Sequence, residues 1–432
     1  MTRARKGLLV SLAAYLAVTI IQCWPLLLDL RYQLPSDRGD PVLNAWILWW
    51  DAHAWPLSAR WWNAPAFFPA RGVLTFSENL LGLTPITTPV QWLTGSTELA
   101  YNIAFLLSFP LSAIAMHLLV HRLTGRDDVA FVAGAAFGFS PYRVAHLPHI
   151  QVLFSFWMPL SLLGLHAGAE GRRWGFPVAA ACWLLQGVSN GYFLVFFPVL
   201  AGLWLLWFSI SRPKALLGAL AWFALFGLIL LPVVAGYRSI HAQYGFVRAV
   251  GEMEGYSADL MSIFAGSFRL RLWGAMWHSG GEGELFPGFA MLAIGLVGAA
   301  YAVATSEVWR IARPDAADGW LRWVRLPLLG LATIFGSVAL ASYLSGGFRI
   351  DLGFATIPVF SAHKPFTVCV VAGSVYLLLG LRAAQPPRMD RTTLFYLFAT
   401  AAMLVLSWGP SPRLFHRPFL YKAPYAWLAS LP

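Results

Sequence analysis

Charge is what this sequence has least of. Asp, Glu, Lys and Arg make up 11% of its 432 residues, against about a quarter in an ordinary soluble domain, and that shortage excludes a soluble globular protein. Cysteine is nearly missing too. Cys23, Cys182 and Cys369 fall inside apolar runs and share no metal-ligand spacing, so they read as small packing residues and not as a disulfide framework or a zinc site. No glycine loop of the phosphate-cradling kind occurs in the short connections, which excludes an ATP-driven transporter. No half-sequence repeats, no pair of interrupted helices falls in matching positions, and no acid lies mid-span; all three weigh against a secondary transporter. Nor is any basic cluster interleaved with exposed aromatics in a soluble segment. The formal charge of +11 therefore reflects topology and anionic headgroups, with membrane lipids and no nucleic acid as partners.

What fills the chain is apolar side chain. Hydrophobic residues reach 58%, the composition of a polytopic membrane protein, and runs of roughly twenty apolar residues predict about eleven spans. They lie at about 7–30, 99–123, 127–141, 151–170, 174–190, 192–210, 214–236, 286–305, 326–344, 365–382 and 393–409. The expected fold is all-α, one transmembrane domain over 1–432. The basic start MTRARK resembles a signal peptide, but the apolar run behind it is too long and ends in no small-residue cleavage site, so it reads as an uncleaved first span. The third span is short and rich in glycine (VAGAAFGF), and Ser189-Asn190-Gly191-Tyr192 leaves room only for a tight hairpin. Lys and Arg concentrate in the short loops, at Arg122 and Arg126, Arg172 and Arg173, Arg212 and Lys214, Arg310 and Arg313, Arg322 and Arg325, and Arg382, Arg388 and Arg391. By the positive-inside rule these loops and the N-terminus face the cytoplasm, leaving 31–98, 237–285, 345–364 and 410–432 outside.

The first external loop is where chemistry concentrates. Asp37 and Asp40 flank Arg38-Gly39 and precede Pro41, a turn against the membrane surface. Beyond it Val42, Leu43, Trp46, Ile47, Trp49 and Trp50 recur at helical spacing, opposed by Asn44, Asp51 and His53. That pattern predicts a helix lying in the interface, with Asp51 and His53 on its solvated face. The 21 Trp residues collect at span ends and in this loop as an aromatic belt does, and carry no claim of sugar stacking.

Three stretches, GDPVLNAWILWWDAHAW, FSENLLG at 76–82 and FSPYRVAHLPHIQ at 139–151, resemble a large group of bacterial integral membrane proteins related to GT-C-type glycosyltransferases. The resemblance implies a GT-C-like core in the bacterial cytoplasmic membrane. It also implies transfer of a sugar from a polyprenyl-phosphate carrier to a cell-envelope acceptor, at an acidic site in the first external loop. One departure is visible. LYKAPYAWLASLP resembles a segment after which related proteins continue into further spans, whereas this chain stops at Pro432, as a truncated or a naturally short member would.

Such a transfer needs a carboxylate to take the proton of the incoming hydroxyl or amine, and cations for the phosphate that departs. Asp40 is the first candidate base and Asp37 the second. Asp40 also reads as the N-cap of the helix begun by Pro41, and Asp37 as a partner of Arg38 or of water. On the phosphate side Arg143 is the strongest candidate, or else an interfacial anchor. His146 and His149 read as a polar rim contacting headgroup or substrate phosphate; as a metal pair they lack a third ligand, and Pro148 interrupts the helix. Lys364 is a second external cation or a snorkelling helix start. Glu78 reads as a second carboxylate that orients the acceptor or helps hold a divalent ion, the one cofactor in view, or as a helix-start acid after Ser77. The segment 237–285, with Arg238, His241, Glu252, Asp259 and His278 among its charges, reads as a lid or acceptor-binding loop. Asn190 and Tyr192 line the same cavity or serve their hairpin, and His117 and His121 are structural. The alternative function is a non-catalytic envelope or lipid-handling protein on the same scaffold.

Overall fold

The computed structural model describes residues 3–277, 282–306, 320–383 and 390–428. His278, Arg310, Arg313 and Arg388 lie outside them. The fold is mostly helical, as expected, but the chain divides into two compact units, Met1–Val247 and Arg248–Pro432, where the sequence predicted one domain.

The first unit opens with α1 (Arg3–Gln22), an apolar helix broken at Cys23, so the predicted run to residue 30 continues only as the single turn α2 (Trp24–Leu27). Pro25, at the start of α2, lacks the N–H that would extend the ladder. After the acidic turn come α3 (Asp40–His53), α4 (Ala59–Trp62), a 3-10 turn at Val73–Phe76 and α5 (Thr84–Thr94). The long helix α6 (Thr97–Thr124) begins where the Ser96 side chain accepts the Leu99 N–H at 3.1 Å and ends at Gly125 in the left-handed region. Next is α7 (Asp127–Phe139), 13 residues and so about 20 Å long, shorter than a bilayer core. Its glycines account for the close packing the sequence hinted at. A Cβ at Gly134 would lie 2.6 Å from the Ala113 carbonyl of α6, and one at Gly138 2.7 Å from the Ala113 side chain.

Two short helices, α8 (Pro141–Ala145) and α9 (Ile150–Leu153), lead into α10 (Trp157–Ala169), which pairs with α11 (Gly175–Gly187). Glycines again set the distance: a Cβ on Gly164 would stand 2.7 Å from the Ala179 nitrogen. The unit closes with α12 (Gly191–Phe208) and α13 (Pro213–Tyr244). The latter runs past the predicted end at 236 and stops only at Gly245, again left-handed, so the second long loop starts later than expected.

The second unit contains α14 (Val250–Tyr256), a 3-10 turn at Leu260–Phe264, α15 (Phe289–Ser306), α16 (Trp320–Ser345), α17 (His363–Ala383), α18 (Arg391–Ser407) and α19 (Tyr425–Leu428). Two small antiparallel hairpins accompany the helices: β1 (Phe348–Asp351) with β2 (Thr356–Val359), and β3 (Arg413–Leu414) with β4 (Arg417–Pro418). Asp259 organises the second. It caps the 3-10 turn through the Met261 N–H and also accepts the N–H groups of Phe415 and His416 at 3.1 and 2.8 Å.

Among the described residues, five helical stretches are long and apolar enough to cross a membrane: Thr97–Thr124, Ile150–Ala169, Gly191–Phe208, Pro213–Tyr244 and Trp320–Ser345. Shorter apolar helices lie at Lys6–Gln22, Gly175–Gly187, Phe289–Ala302 and Arg391–Ser407.

Candidate functional site

The acidic turn is held from beneath by α6. Asn102 Nδ2 donates to the carbonyls of Leu30 and Gln33 at 2.8 and 2.6 Å, pinning the chain just before it turns. Within the turn Asp37 Oδ1 accepts the Gly39 N–H at 3.0 Å, an Asx-type closure that leaves Asp37 exposed. Gly39 is the N-cap of α3 and Asp40 already belongs to the first helical turn. The capping reading of Asp40 is thereby corrected: no side chain caps α3, and the Asp40 carboxylate turns elsewhere.

It turns to His149. Asp40 Oδ2 lies 2.9 Å from His149 Nε2, and His149 Nδ1 lies 3.1 Å from His146 Nδ1. A carboxylate and two imidazoles thus form a line running from the half-exposed Asp40 side chain (47%) through His149 (18%) to the buried His146. Pro148, which forbids a helix through this segment, is what allows both rings to face one another: α8 ends at Ala145 and α9 starts at Ile150. One turn farther along α3, Asn44 Nδ2 donates to Gln151 Oε1 at 3.0 Å, so the 146–151 loop is fastened to α3 at two points. The Tyr142 ring packs 4.5 Å from His146. Burial pushes His146 down to about 3, helped by neighbouring His149 and Arg143, so this ring stays neutral at physiological pH. Among the described residues its Nε2 is buried without a partner. No group of three or more His, Cys, Asp or Glu side chains among the described residues is arranged to hold a metal ion.

Arg143 does something other than the sequence predicted. It is 3% exposed, with NH1 donating to Ser112 Oγ and Ser155 Oγ and NH2 to the Ser108 and Leu153 carbonyls and Ser108 Oγ, while its guanidinium sits 4.9 Å over Phe109. Burial pushes its pKa down. These contacts spend its two terminal nitrogens on tying the loop to α6. Arg143 is a buried strut, not a cation displayed to a phosphate.

The acids beyond the turn also differ from expectation. Asp51, predicted to be solvated, is 5% exposed; its Oδ1 accepts the Trp61 indole N–H at 2.7 Å and its Oδ2 has no partner among the described residues. Burial raises its pKa to about 8. Part of α3 is inverted relative to the prediction: Asn44 and Asp51 point inward, beside Ile47, Leu48 and Trp50, while Val42 and Leu43 are exposed. In a membrane setting that inversion is sensible: hydrocarbon accepts the valine and leucine, and polar groups need protein partners. His53 remains exposed.

Glu78 starts no helix of its own. Its Oε2 accepts the Gly191 N–H at 2.8 Å, at the head of α12, beside the Asn190 side chain that caps Phe193 N–H at 3.1 Å. Burial raises Glu78 to about 7 although that N–H opposes the shift. Asn190 is therefore a cap of its hairpin. The last turns of α13 brace the same strip of loop, with the Tyr237 hydroxyl donating to the Ser77 carbonyl at 2.8 Å and His241 Nε2 2.9 Å from the Thr75 carbonyl. So His241 and Tyr237, inside the predicted lid segment, are helical supports.

Of the predicted site residues, then, Asp40, His146 and His149 come together. Asp37 shares the turn, Glu78 and Arg143 have structural partners, and Lys364 belongs to the second unit. Sequence reasoning missed Asn102 and read Asn44 only as part of the polar side of α3; an amide inside an apolar helix is itself the signal that a loop is being tied down. Set against protein-family models, curated proteins and solved structures, the chain matches none of them.

Proposed function

We propose that the protein is a membrane glycosyltransferase of GT-C-like architecture that moves a sugar from a polyprenyl-phosphate carrier to a cell-envelope acceptor, with inversion at the anomeric carbon. In this reading about eleven spans cross the bacterial cytoplasmic membrane, the N-terminus is inside and the acidic turn is outside.

The observation that carries the reading is the Asp40–His149–His146 line. Asp40 is the one member that solvent reaches freely, and its Oδ2 is held by His149, which leaves Oδ1 to accept the proton of an attacking hydroxyl. His149 fixes the carboxylate's orientation, and neutral His146 supports the second nitrogen of that ring without adding charge. Asp37, exposed one turn away, supplies negative charge to the same surface.

The cavity in the second unit favours a second reading, a non-catalytic protein that handles lipid. Purified protein incubated with radiolabelled polyprenyl-phosphate sugars separates the two. Donor consumption that disappears in Asp40→Asn, with membrane insertion intact, supports the transferase; no consumption of any donor supports lipid handling.

A further inference from the structure

The second unit carries a groove of about 660 Å³ between the C-terminal half of α16, the start of α17 and the β3–β4 hairpin. Gly336 and Ala339 form its floor, and small residues there let α16 approach α17 closely: a Cβ on Gly336 would meet Cys369 Sγ at 3.1 Å. Leu340, Tyr343, Phe366 and Phe419 give it apolar walls. It opens along a helix that is apolar enough to cross a membrane yet has only 11% of its span covered by protein. Hydrocarbon is the natural neighbour of such a face.

The mouth has charge of one sign. Arg417 and His363 line it, and the His363 ring lies 6.2 Å from that of Tyr421. Lys364 Nζ and Lys422 Nζ stand 5.4 and 5.6 Å from the centroid of the same Tyr421 ring. Arg417, Lys364 and Lys422 are all exposed, and among the described residues none has a carboxylate partner. The acids that touch this hairpin are already engaged: Glu254 pairs with Arg413 at 2.8 Å, and Asp259 is occupied by the backbone of Phe415 and His416. An apolar slot ending in three unneutralised cations beside an interfacial tyrosine describes a ligand with one anionic head and a hydrocarbon tail.

We propose that the groove binds an anionic phospholipid of the surrounding bilayer, one acyl chain lying over Gly336 and Ala339 and the phosphate among Arg417, Lys364 and Lys422. A free anion would leave the walls wet, and a zwitterionic lipid would bring a positive group to a mouth already positive. The proposal needs no catalytic role for Asp40 and stands under either functional reading.

The test uses the full chain in detergent, titrated with palmitoyl-oleoyl phosphatidylglycerol or with the corresponding phosphatidylcholine, with bound lipid counted by mass spectrometry of the intact complex. Phosphatidylglycerol should be retained over phosphatidylcholine. Arg417→Gln, Lys364→Gln and Lys422→Gln should each weaken retention about fivefold, whereas Lys214→Gln, an exposed cation of the first unit, should not. Ala339→Trp fills the floor without altering charge and should abolish retention; the surface-charge variants keep the test decisive if that protein fails to fold. Equal retention of the two lipids, or undiminished retention by the triple glutamine variant, overturns the proposal. So does a polyprenyl phosphate that displaces phosphatidylglycerol at a tenth of its concentration, which would assign the groove to an isoprenoid lipid.

Discussion

The two units of this chain spend their polar residues in opposite ways. In the first, the spans Thr97–Thr124 and Ile150–Ala169 are 56% and 67% buried, against 22% and 17% for Gly191–Phe208 and Pro213–Tyr244, and Asn44, Asp51, Asn102, Arg143, His146, Gln186 and Asn190 all lie inside. In the second, Trp320–Ser345 is 11% buried and the cations Lys364, Arg417 and Lys422 face outward. Arg325 and Asp259 are exceptions there, Arg325 buried with Nε donating to the Tyr376 carbonyl at 3.3 Å and Asp259 buried against the backbone of Phe415 and His416. The contrast is one of solvent. Where protein surrounds a polar group, hydrogen bonds fix its position, and a fixed carboxylate is what proton transfer requires; where lipid surrounds a helix, charge is useful only at the rim.

The largest effect that separates the units concerns turnover. Asp40→Asn keeps the shape and the contact to His149 but removes the base, and should lower donor consumption by about 10²–10⁴-fold. Lys364→Gln in the second unit, where the cation serves the mouth of the groove, should leave consumption within about twofold. Equal losses in a radiolabelled-donor assay would erase the division of labour.

Next comes stability. Arg143→Met leaves the Ser108 and Leu153 carbonyls without their donor in a dry interior, and should cost about 3–5 kcal/mol in unfolding measured in detergent micelles. Arg417→Met, a surface cation of the second unit, should stay within about 0.5 kcal/mol. Were the two alike, Arg143 would not be the strut its contacts describe.

How much of this was legible beforehand follows from the same contrast. Composition and run length give helices in a membrane, because burying a backbone in hydrocarbon admits few alternatives. Asp40, His146 and His149 were legible as chemistry-bearing residues near a membrane surface, but not as a line, since that depends on Pro148 breaking the chain between α8 and α9. Arg143 was misread for a clear reason: an arginine at a predicted span end is indistinguishable, in sequence, from one whose two terminal nitrogens are consumed by Ser108, Ser112, Leu153 and Ser155. Asp51 was misread because amphipathic periodicity shows two faces without saying which one meets protein. The groove at Gly336 and Ala339 left no mark at all, being built from the packing of α16 on α17 and a hairpin too short to show an alternating pattern.

A third test uses pH, and bears on the first unit alone. Asp51 has its pKa raised to about 8 in the folded protein, so the folded state holds a proton that the unfolded chain releases near pH 4. The unfolded state then binds fewer protons than the native one between about pH 4 and about pH 8, and stability falls as pH rises through that window before levelling off. Glu78, raised to about 7, adds a drop of the same sign over a narrower range. Asp51→Asn is nearly isosteric and should flatten most of the decline, Glu78→Gln a smaller part. Micellar unfolding midpoints recorded from pH 5 to pH 9 read this directly. A stability that rises with pH would mean that Asp51 is ionised where it sits.

The smallest effects compare glycines. Gly164 of α10 faces α11 so closely that an added Cβ would stand 2.7 Å from both the Ala179 nitrogen and the Gly175 carbonyl, backbone atoms that cannot rotate away. Gly164→Ala should therefore force the pair apart and cost about 1–3 kcal/mol. Gly330 of α16 has nothing within 4 Å of the same added carbon. There the substitution meets no neighbour, removes backbone freedom from the unfolded helix and should stabilise it by about 0.5–1 kcal/mol. Identical chemistry thus carries opposite signs according to whether protein or lipid borders the helix. Measuring both in one micellar unfolding series tests that border without reference to function: a destabilising Gly330→Ala would place a packing partner against α16.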